Sequence, residues 1–351
     1  MNSSNPLAPD LDKILSRTEP LWNEVRGGRI FITGGTGFFG RWLLESFAWA
    51  NRRLELKAHA VVLTRNPSVF VKAAPHLAAD GAIQLHSGDV RDFVFPAGTF
   101  SHVIHGATAA SVTLNAENPQ LMFETIAQGT QRTLDFAAQA GAKKFLFISS
   151  GAVYGRQSPE VSHVTEDFFD AVDTLQPLGA YAEGKRAGEK ICLTFSQARA
   201  VEMKIARCFA FVGPHLPLDG HFAVGNFMRD GLRGGPICVQ GDGTPVRSYL
   251  HASELAVWLW TILFRGQNAR AYNVGSETCL TIAETARIVS EYFSPPVAVK
   301  IASSPGTGPA ARYVPSTQRA RTELGLTQEI ESCSAITKTL GWLSNAHADS
   351  K

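Results

Sequence analysis

Residues 29–40 read RIFITGGTGFFG. Apolar Ile30, Phe31 and Ile32 run straight into three glycines, Gly34, Gly37 and Gly40, spaced three apart, and a helical pattern follows to about Trp49. Glycines in such a turn let the chain bend tightly, let a pyrophosphate come up against bare backbone, and let the next helix pack close to the strand; the phosphates then sit at the helix N-terminus. A strand, a glycine triplet and a helix in that order point to a dinucleotide site, with Phe38 and Phe39 beside the three glycines among its contacts.

The same alternation continues outward from that stretch. HAVVLT (59–64), IQLHS (83–87), HVIH (102–105) and KFLFIS (144–149) are short apolar runs, with a helical pattern around 120–140, and MKIARCF follows a helix that starts near Tyr181. Runs apolar throughout, rather than alternating, belong to strands covered on both faces. The expected architecture is therefore α/β, a doubly wound parallel sheet (Rossmann) with a smaller, discontinuous C-terminal substrate lobe. Residues 28–208 are expected to form the dinucleotide-binding domain, rejoined near 250–275, where AYNVG returns to strand character. Residues 209–249 and 276–345 are expected to form the lobe, which begins in the Gly- and Pro-rich tract VGPHLPLDGHFAVGN. Residues 1–27, with Pro6, Pro9 and Pro20 around a short amphipathic piece, read as an extension packed on the outside.

Composition narrows the partners. The chain has 351 residues, 44% of them hydrophobic, enough for a sizeable core, and a formal charge of +2. Lys and Arg are scattered, which argues against a nucleic-acid or polybasic membrane surface and for a small-molecule partner. Cys192, Cys208, Cys238, Cys279 and Cys333 are odd in number and lack CxxC spacing, so they read as buried free thiols with neither disulfide framework nor metal site. No signal-peptide pattern opens the chain and no apolar run is long enough to span a bilayer, which reads as cytoplasmic.

After the second strand, in VVLTRNP, an acidic residue would hold the ribose 2′-hydroxyl of NAD, and an arginine suits the 2′-phosphate of NADP. Arg65 stands there, which favours NADP(H) over NAD(H), and Arg41 is placed to join it. Ser149 and Ser150 end the KFLFISS strand on the edge of the sheet that carries the glycine loop. Tyr181 and Lys185 open the next helix four residues apart, on one face, so the ammonium lies near the phenol.

Here the sequence resembles the extended short-chain dehydrogenase/reductase family of nucleotide-sugar enzymes, which includes UDP-galactose 4-epimerase, the 4,6-dehydratases and the 4-keto-sugar reductases. TGGTGFFG (33–40), GDVRD (88–92), VIHGAT (103–108), ISSGAVYG (148–155), YAEGK (181–185), GDGTPVRSYLH (241–251) and YNVG (272–275) carry it, in order, over about residues 29–345. The resemblance implies that Asp89 and Val90 contact the adenine, that Ala107 and Thr108 line the nicotinamide side, and that Ser150, Tyr181 and Lys185 are catalytic. Lys185 would also hold the nicotinamide ribose, and Ser150 the substrate oxygen. A free phenol ionises near pH 10, so for Tyr181 to work near neutrality its ionisation must fall by about 3 pH units, or ~4 kcal/mol, which a neighbouring ammonium and an oxidised nicotinamide supply. Arg247 matches the arginine that grips the sugar-nucleotide diphosphate, and Asn226 donates to a phosphate or the sugar. The family also implies a homodimer through helices 120–140 and 181–198. The apolar spacing of Phe136, Ala137, Ala140, Ile191 and Phe195 fits that pairing and fits core packing equally.

Departures from the family pattern narrow the reaction. Dehydratases and nucleotide-sugar decarboxylases carry acids just after the catalytic hydroxyl, where this chain has Gly151 and Ala152, so elimination lacks its acid and base. Members that epimerise beside a ketone, such as GDP-fucose synthase, add a cysteine and a histidine where Gly151 and Asn226 stand; His215 and His221 lie nearby in a Gly/Pro-rich loop. Simple hydride transfer at one carbon remains: reduction of a 4-keto (6-deoxy) hexose, or 4-epimerisation on retained NAD. A non-catalytic NADP(H) sensor on the same fold is the reading from another class, and the intact Ser150, Tyr181 and Lys185 argue against it. Ser248, Ala210 and Ser316 replace an aspartate, an asparagine and an aspartate usual in the family, in the region that shapes the base and sugar pockets.

Overall fold

The computed structural model describes residues 5–108, 117–168, 179–220 and 222–348. Seven strands form the central sheet: β1 (Arg29–Thr33), β2 (His59–Thr64), β3 (Ile83–Ser87), β4 (His102–His105), β5 (Lys144–Ser150), β6 (Glu202–Cys208) and β7 (Arg270–Val274). Their order is β7-β6-β5-β4-β1-β2-β3. The pairings β1 with β2, β2 with β3, β1 with β4 and β4 with β5 are all parallel. The chain thus leaves β1 toward one edge and β4 toward the other, and in open α/β sheets a ligand crevice opens at that switch point.

Both faces of the sheet are covered, as its apolar strands require. On one face Phe31 of β1 meets Phe136 at 4.4 Å and Phe93 at 5.4 Å, where Phe136 belongs to α3 (Pro119–Gln139). Helix α4 (Ala180–Ala198) runs beside α3, close enough that a Cβ at Gly184 would meet Ile126 at 3.0 Å. Phe136, Ala137 and Ala140 are buried in this core, with Ile191 and Phe195 packed against it. The apolar spacing that fits a dimer face is therefore intrachain packing.

The opposite face shows where the N-terminal segment belongs. Helix α1 (Ala8–Thr18) and a 3₁₀ turn (Glu19–Val25) do not lie outside the domain; they supply Leu11, Ile14 and Trp22 to its core. Trp22 is fully buried, 4.6 Å from Trp260 and 6.4 Å from Phe47. Trp260 lies on α5 (Ala252–Arg265), Phe47 on α2 (Phe38–Arg53). Both indole N–H groups are satisfied, Trp22 on Thr18 Oγ1 and Trp260 on Ser46 Oγ. Glu24 of the same segment pairs with Lys144 at 2.6 Å and with His102 at 3.1 Å.

The chain divides into two compact units, Met1–Val153, Asp173–Arg207 and Ala256–Tyr272 in one, Tyr154–Val172, Cys208–Leu255 and Asn273–Lys351 in the other. Tyr154–Val172, read from the sequence as part of the dinucleotide domain, fall in the second. That unit has small sheets of its own: Val246–Arg247 lies between Leu280–Thr281 and Arg312–Tyr313, and Ile237–Val239 pairs with Val299–Ile301. Its buried hub is Asn273, whose side chain accepts from Tyr154 Oη at 2.6 Å and donates to the carbonyls of Val164 and Ser316. Cys238, Cys279 and Cys333 are exposed, against the expectation of five buried thiols; Cys192 and Cys208 are buried. Among the described residues no helix is long and apolar enough to cross a membrane.

If the N-terminal segment is core, Trp22→Ala destabilises the protein by about 3–5 kcal/mol, the usual range for emptying a buried aromatic site. Urea unfolding measures it, and a loss below about 1 kcal/mol would return the segment to the periphery.

Candidate active site

The three glycines of the β1 turn are needed for different reasons. Gly34 has φ +74°, and a Cβ there would lie 2.5 Å from the carbonyl carbon of Gly106, so the ends of β1 and β4 approach as closely as backbone allows. At Gly40 a Cβ would meet Gly35 Cα at 2.3 Å, which fixes the packing of α2 on its strand. Gly37 differs. It is the N-cap of α2 in extended conformation, without side-chain capping, and a Cβ there would find nothing nearer than Gly34 O at 3.5 Å. The protein itself therefore has no need of a glycine at that position, whereas a phosphate seated on the helix N-terminus does.

Behind the loop after β4 lies a buried relay. Thr130 Oγ1 donates to the Ile126 carbonyl at 2.7 Å, so it accepts from His105 Nε2–H at 3.1 Å. His105 Nδ1 is then the acceptor, taking the Thr33 hydroxyl proton at 2.7 Å, and Thr33 Oγ1 in turn accepts from the Ala107 N–H at 3.1 Å. Burial, with the Lys185 charge nearby, pushes the His105 pKa down to about 3, which keeps the ring neutral and in this one tautomer. The relay holds the backbone at Ala107. Next to it, Thr108 Oγ1 is buried without a partner among the described residues, an orphaned donor where the nicotinamide side is expected. The bare Gly37 and the orphaned Thr108 both fit a bound dinucleotide.

The remaining cofactor candidates cluster at the ends of β2 and β3. Arg65 is exposed directly after β2 and close enough to Asp89 to lower its pKa, though the hydrogen bond from Arg91 is the larger cause. Arg91 Nε reaches Asp89 Oδ1 at 2.8 Å, so the Asp89 carboxylate is already engaged. Val90 is buried against Gly129 of α3. Arg41 donates to the Ala73 carbonyl at 2.6 Å, which commits part of its guanidinium away from Arg65.

The residues expected to do the chemistry come from β5 and α4. Ser150 ends β5, nearly buried, its Oγ accepting from the Ala152 N–H at 3.1 Å. Lys185 is 2% exposed; its Nζ donates to the Ile148 carbonyl at 2.8 Å and lies 5.9 Å from the Tyr181 ring centroid. The four-residue spacing thus sets the Lys185 ammonium beside the Tyr181 ring, one turn apart on one face of α4. Gly151 and Ala152 form the 3₁₀ turn that follows, without a carboxyl.

Asn226 and Arg247 belong to the second unit. Asn226 Nδ2 donates to the Gly220 carbonyl and its Oδ1 accepts from Arg229; Arg247 Nη1 donates to the Val246 carbonyl, with the guanidinium 5.8 Å from the Tyr313 ring centroid. His215 has φ +72° and packs edge-on against Trp342 at 5.2 Å, a structural placement, while His221 lies outside the described residues. Ser248 is fully buried, its Oγ unpartnered among the described residues. Sequence reasoning missed Thr33, His105 and a carboxylate on α4, Glu189, which binds Ser149 and Arg207. The spacing of Lys185 and Glu189, again four residues, was its one signal.

Fold and site together define a nucleotide-dependent enzyme on a Rossmann sheet. The sequence profile of the NAD dependent epimerase/dehydratase family matches residues 30–275, and the chain belongs to that family. UDP-glucuronic acid decarboxylase 6 of Arabidopsis thaliana is 29% identical over 297 residues, 85% of this chain and 83% of that protein. In fold, the chain is similar to UDP-glucuronic acid 4-epimerase from Bacillus cereus, solved with a fluorinated UDP-glucuronic acid and NAD (TM-score 0.78, 20% identity, 91% and 99% of the two chains). It is similar also to UDP-glucose 4-epimerase from Thermotoga maritima, solved with UDP-glucose (TM-score 0.75, 20% identity, 91% and 99%).

If Gly37 is bare for a ligand, Gly37→Ala leaves the unfolding midpoint nearly unchanged, since the lost cap preference and the gained backbone stiffness are each within about 1 kcal/mol. Dinucleotide affinity, read by calorimetric titration, falls about tenfold or more. Equal affinity in the variant would show that no phosphate comes near that backbone.

Proposed function

We propose that the protein transfers a hydride at a single carbon of a nucleotide-activated sugar, in the direction of reducing a 4-keto (6-deoxy) hexose. The observation that carries this reading is the composition of the site: Tyr181 and Lys185 adjoin on α4, Ser150 ends β5, and the turn after Ser150 holds Gly151 and Ala152 instead of an acid. The bound dinucleotide supplies the hydride. Ser150 already accepts the Ala152 N–H, so its own hydroxyl proton is left to bind the substrate oxygen. Tyr181 gives its proton to that oxygen as negative charge develops on it, and Lys185, fixed on the Ile148 carbonyl, keeps a positive charge beside the phenol and favours its ionised form.

Arg65 supports NADP(H) over NAD(H), because an exposed guanidinium at the end of β2 suits a 2′-phosphate. Arg247 and Asn226 are proposed to hold the diphosphate and the sugar. A homodimer is proposed too, on surfaces of α3 and α4 other than the residues spent in the core. The decarboxylases similar in sequence argue for UDP-linked substrates as a class, and Ala152 argues against decarboxylation itself. A second reading rests on the family description, which names epimerases: the same three residues serve a 4-epimerase that oxidises and re-reduces one carbon on retained NAD.

One experiment separates the readings. The purified protein is denatured and assayed for released NAD(H), then titrated with NADPH and NADH and tested for turnover on 4-keto and 4-hydroxy sugar nucleotides. The reductase binds NADPH reversibly and at least about tenfold more tightly than NADH, a preference that Arg65→Ala removes. Near-stoichiometric released NAD identifies the epimerase instead. In either case Tyr181→Phe lowers kcat by about 100-fold or more; full turnover in that variant, or cofactor binding with no hydride transfer to any sugar nucleotide, would overturn the catalytic assignment.

A further inference from the structure

A buried polar cluster lies behind the chemical residues and has no part in the mechanism above. Glu189 of α4 is 6% exposed and Ser149 of β5 2% exposed. The Ser149 hydroxyl donates to Glu189 Oε1 at 2.6 Å; Arg207, at the end of β6, donates from Nε to Oε1 at 3.0 Å and from Nη2 to Oε2 at 2.8 Å. One carboxylate therefore joins a helix to two adjacent strands of the sheet.

Stability alone is a poor reason for such a cluster. Well-packed apolar side chains in place of a buried ion pair are often neutral or stabilising, because both charges lose their hydration on folding. What the cluster adds is direction. Helix α4 lies on its neighbours through glycine: a Cβ at Gly188 would meet Phe147 Cζ at 2.5 Å, and one at Gly184 would meet Ile126 at 3.0 Å. Flat contacts of this kind bring backbones close but offer few side-chain knobs to oppose sliding or rotation, and dispersion tolerates small shifts far better than a hydrogen bond does. Two successive residues of β5 remove that freedom: Ile148 receives Lys185 on its carbonyl, and Ser149 donates its hydroxyl to Glu189 one turn further along the helix. A third contact, Arg186 Nε to the Val153 carbonyl at 2.7 Å, ties the same helix to the turn after Ser150.

We propose that Glu189, held by Ser149 and Arg207, is a positioning residue that sets the register of α4 on β5 and so places Tyr181 and Lys185 relative to Ser150. Glu189 touches none of the reacting groups; it acts through the helix that carries them. The proposal rests on the catalytic reading given above, and its test is built to fail separately from that reading.

The test compares Glu189→Leu, Arg207→Leu and the double variant with the parent. Each single variant removes one side of the ion pair from around the other charge and lowers the thermal midpoint; the double variant, apolar on both sides, recovers most of it. Dinucleotide affinity for NADPH in the double variant falls by no more than about tenfold, since the glycine loop is untouched and only the contact of Lys185 with the nicotinamide ribose is displaced. Turnover of the sugar nucleotide that the parent accepts stays about 10- to 100-fold lower in kcat, the cost of a misplaced acid. Amide hydrogen exchange over residues 180–185 stays faster than in the parent, a readout that needs no substrate. Recovery of kcat and of exchange protection together with the midpoint would make the cluster purely structural and overturn the proposal. Unchanged kcat in the single variants would do the same. A parent that turns over no sugar nucleotide defeats the catalytic reading, and the exchange result then decides the register claim on its own.

Discussion

The close approach of Gly34 to Gly106 is the constraint on which the rest depends. It occurs where β1 and β4, neighbours in the sheet, send the chain to opposite edges, and it is possible only because Gly34 carries no side chain there. The crevice expected at this switch point would therefore meet bare backbone at Gly34 and Gly37, on the side where phosphates are expected. Thr33, the last residue of β1, then does double duty: its hydroxyl ties the Ala107 amide to β1 and the His105 ring to both. Because His105 is neutral and fixed in one tautomer, no proton can enter this relay without unmaking it. The floor of the crevice is thus rigid for reasons of hydrogen-bond direction as much as of packing.

The chemical group is placed by a different logic. Lys185 carries its charge at 2% exposure, and an ammonium is costly to bury unless it is hydrogen-bonded. The Ile148 carbonyl meets that need near the C-terminal end of β5, and the Phe147 ring, 5.0 Å away, faces the charge. The helix can come this close only because Gly184 and Gly188 face the core. Small residues thus bring the helix in, and polar contacts decide where along the strand it stops. The same division between approach and register holds at the dinucleotide turn, where Gly40 brings α2 in and the bare Gly37 leaves its N-terminus open.

Much of this was legible in the sequence because the strands of the sheet are short apolar runs, and their boundaries follow from burial on both faces. RIFIT, HAVVLT, IQLHS and HVIH are the strands observed, residue for residue. The N-terminal segment was misread because its prolines advertise a loop, whereas the anchor is a single tryptophan whose partners, Phe47 and Trp260, lie 25 and 238 residues further along the chain. No local pattern reports such a contact. Phe136 and Ile191 were ambiguous for a related reason: an apolar face says that something covers it, and only the tertiary structure says whether that is the same chain. Glu189 escaped notice because a Lys and a Glu four apart read as a solvated helix pair, and its real partner, Arg207, is supplied by another strand.

The proposed reaction class rests on counting protons against the groups that the proposal places at the site. Breaking a carbon–oxygen bond in an elimination takes a proton from one carbon and delivers one to the departing oxygen, so it needs acid and base groups beyond the one that serves the carbonyl. Interconverting a hydroxyl and a ketone needs one hydride and one proton at a single centre. In the reaction proposed above, Tyr181, with Lys185 beside it, supplies that proton, and the hydroxyl of Ser150 orients the oxygen that takes it up. Gly151 and Ala152 add nothing ionisable, and the 3₁₀ turn they form holds the Ser150 oxygen by a backbone amide instead. The residues proposed for the site thus match what hydride transfer requires, while the turn after Ser150 brings none of the further acids that elimination requires, which is why the reaction proposed is the family's simplest one.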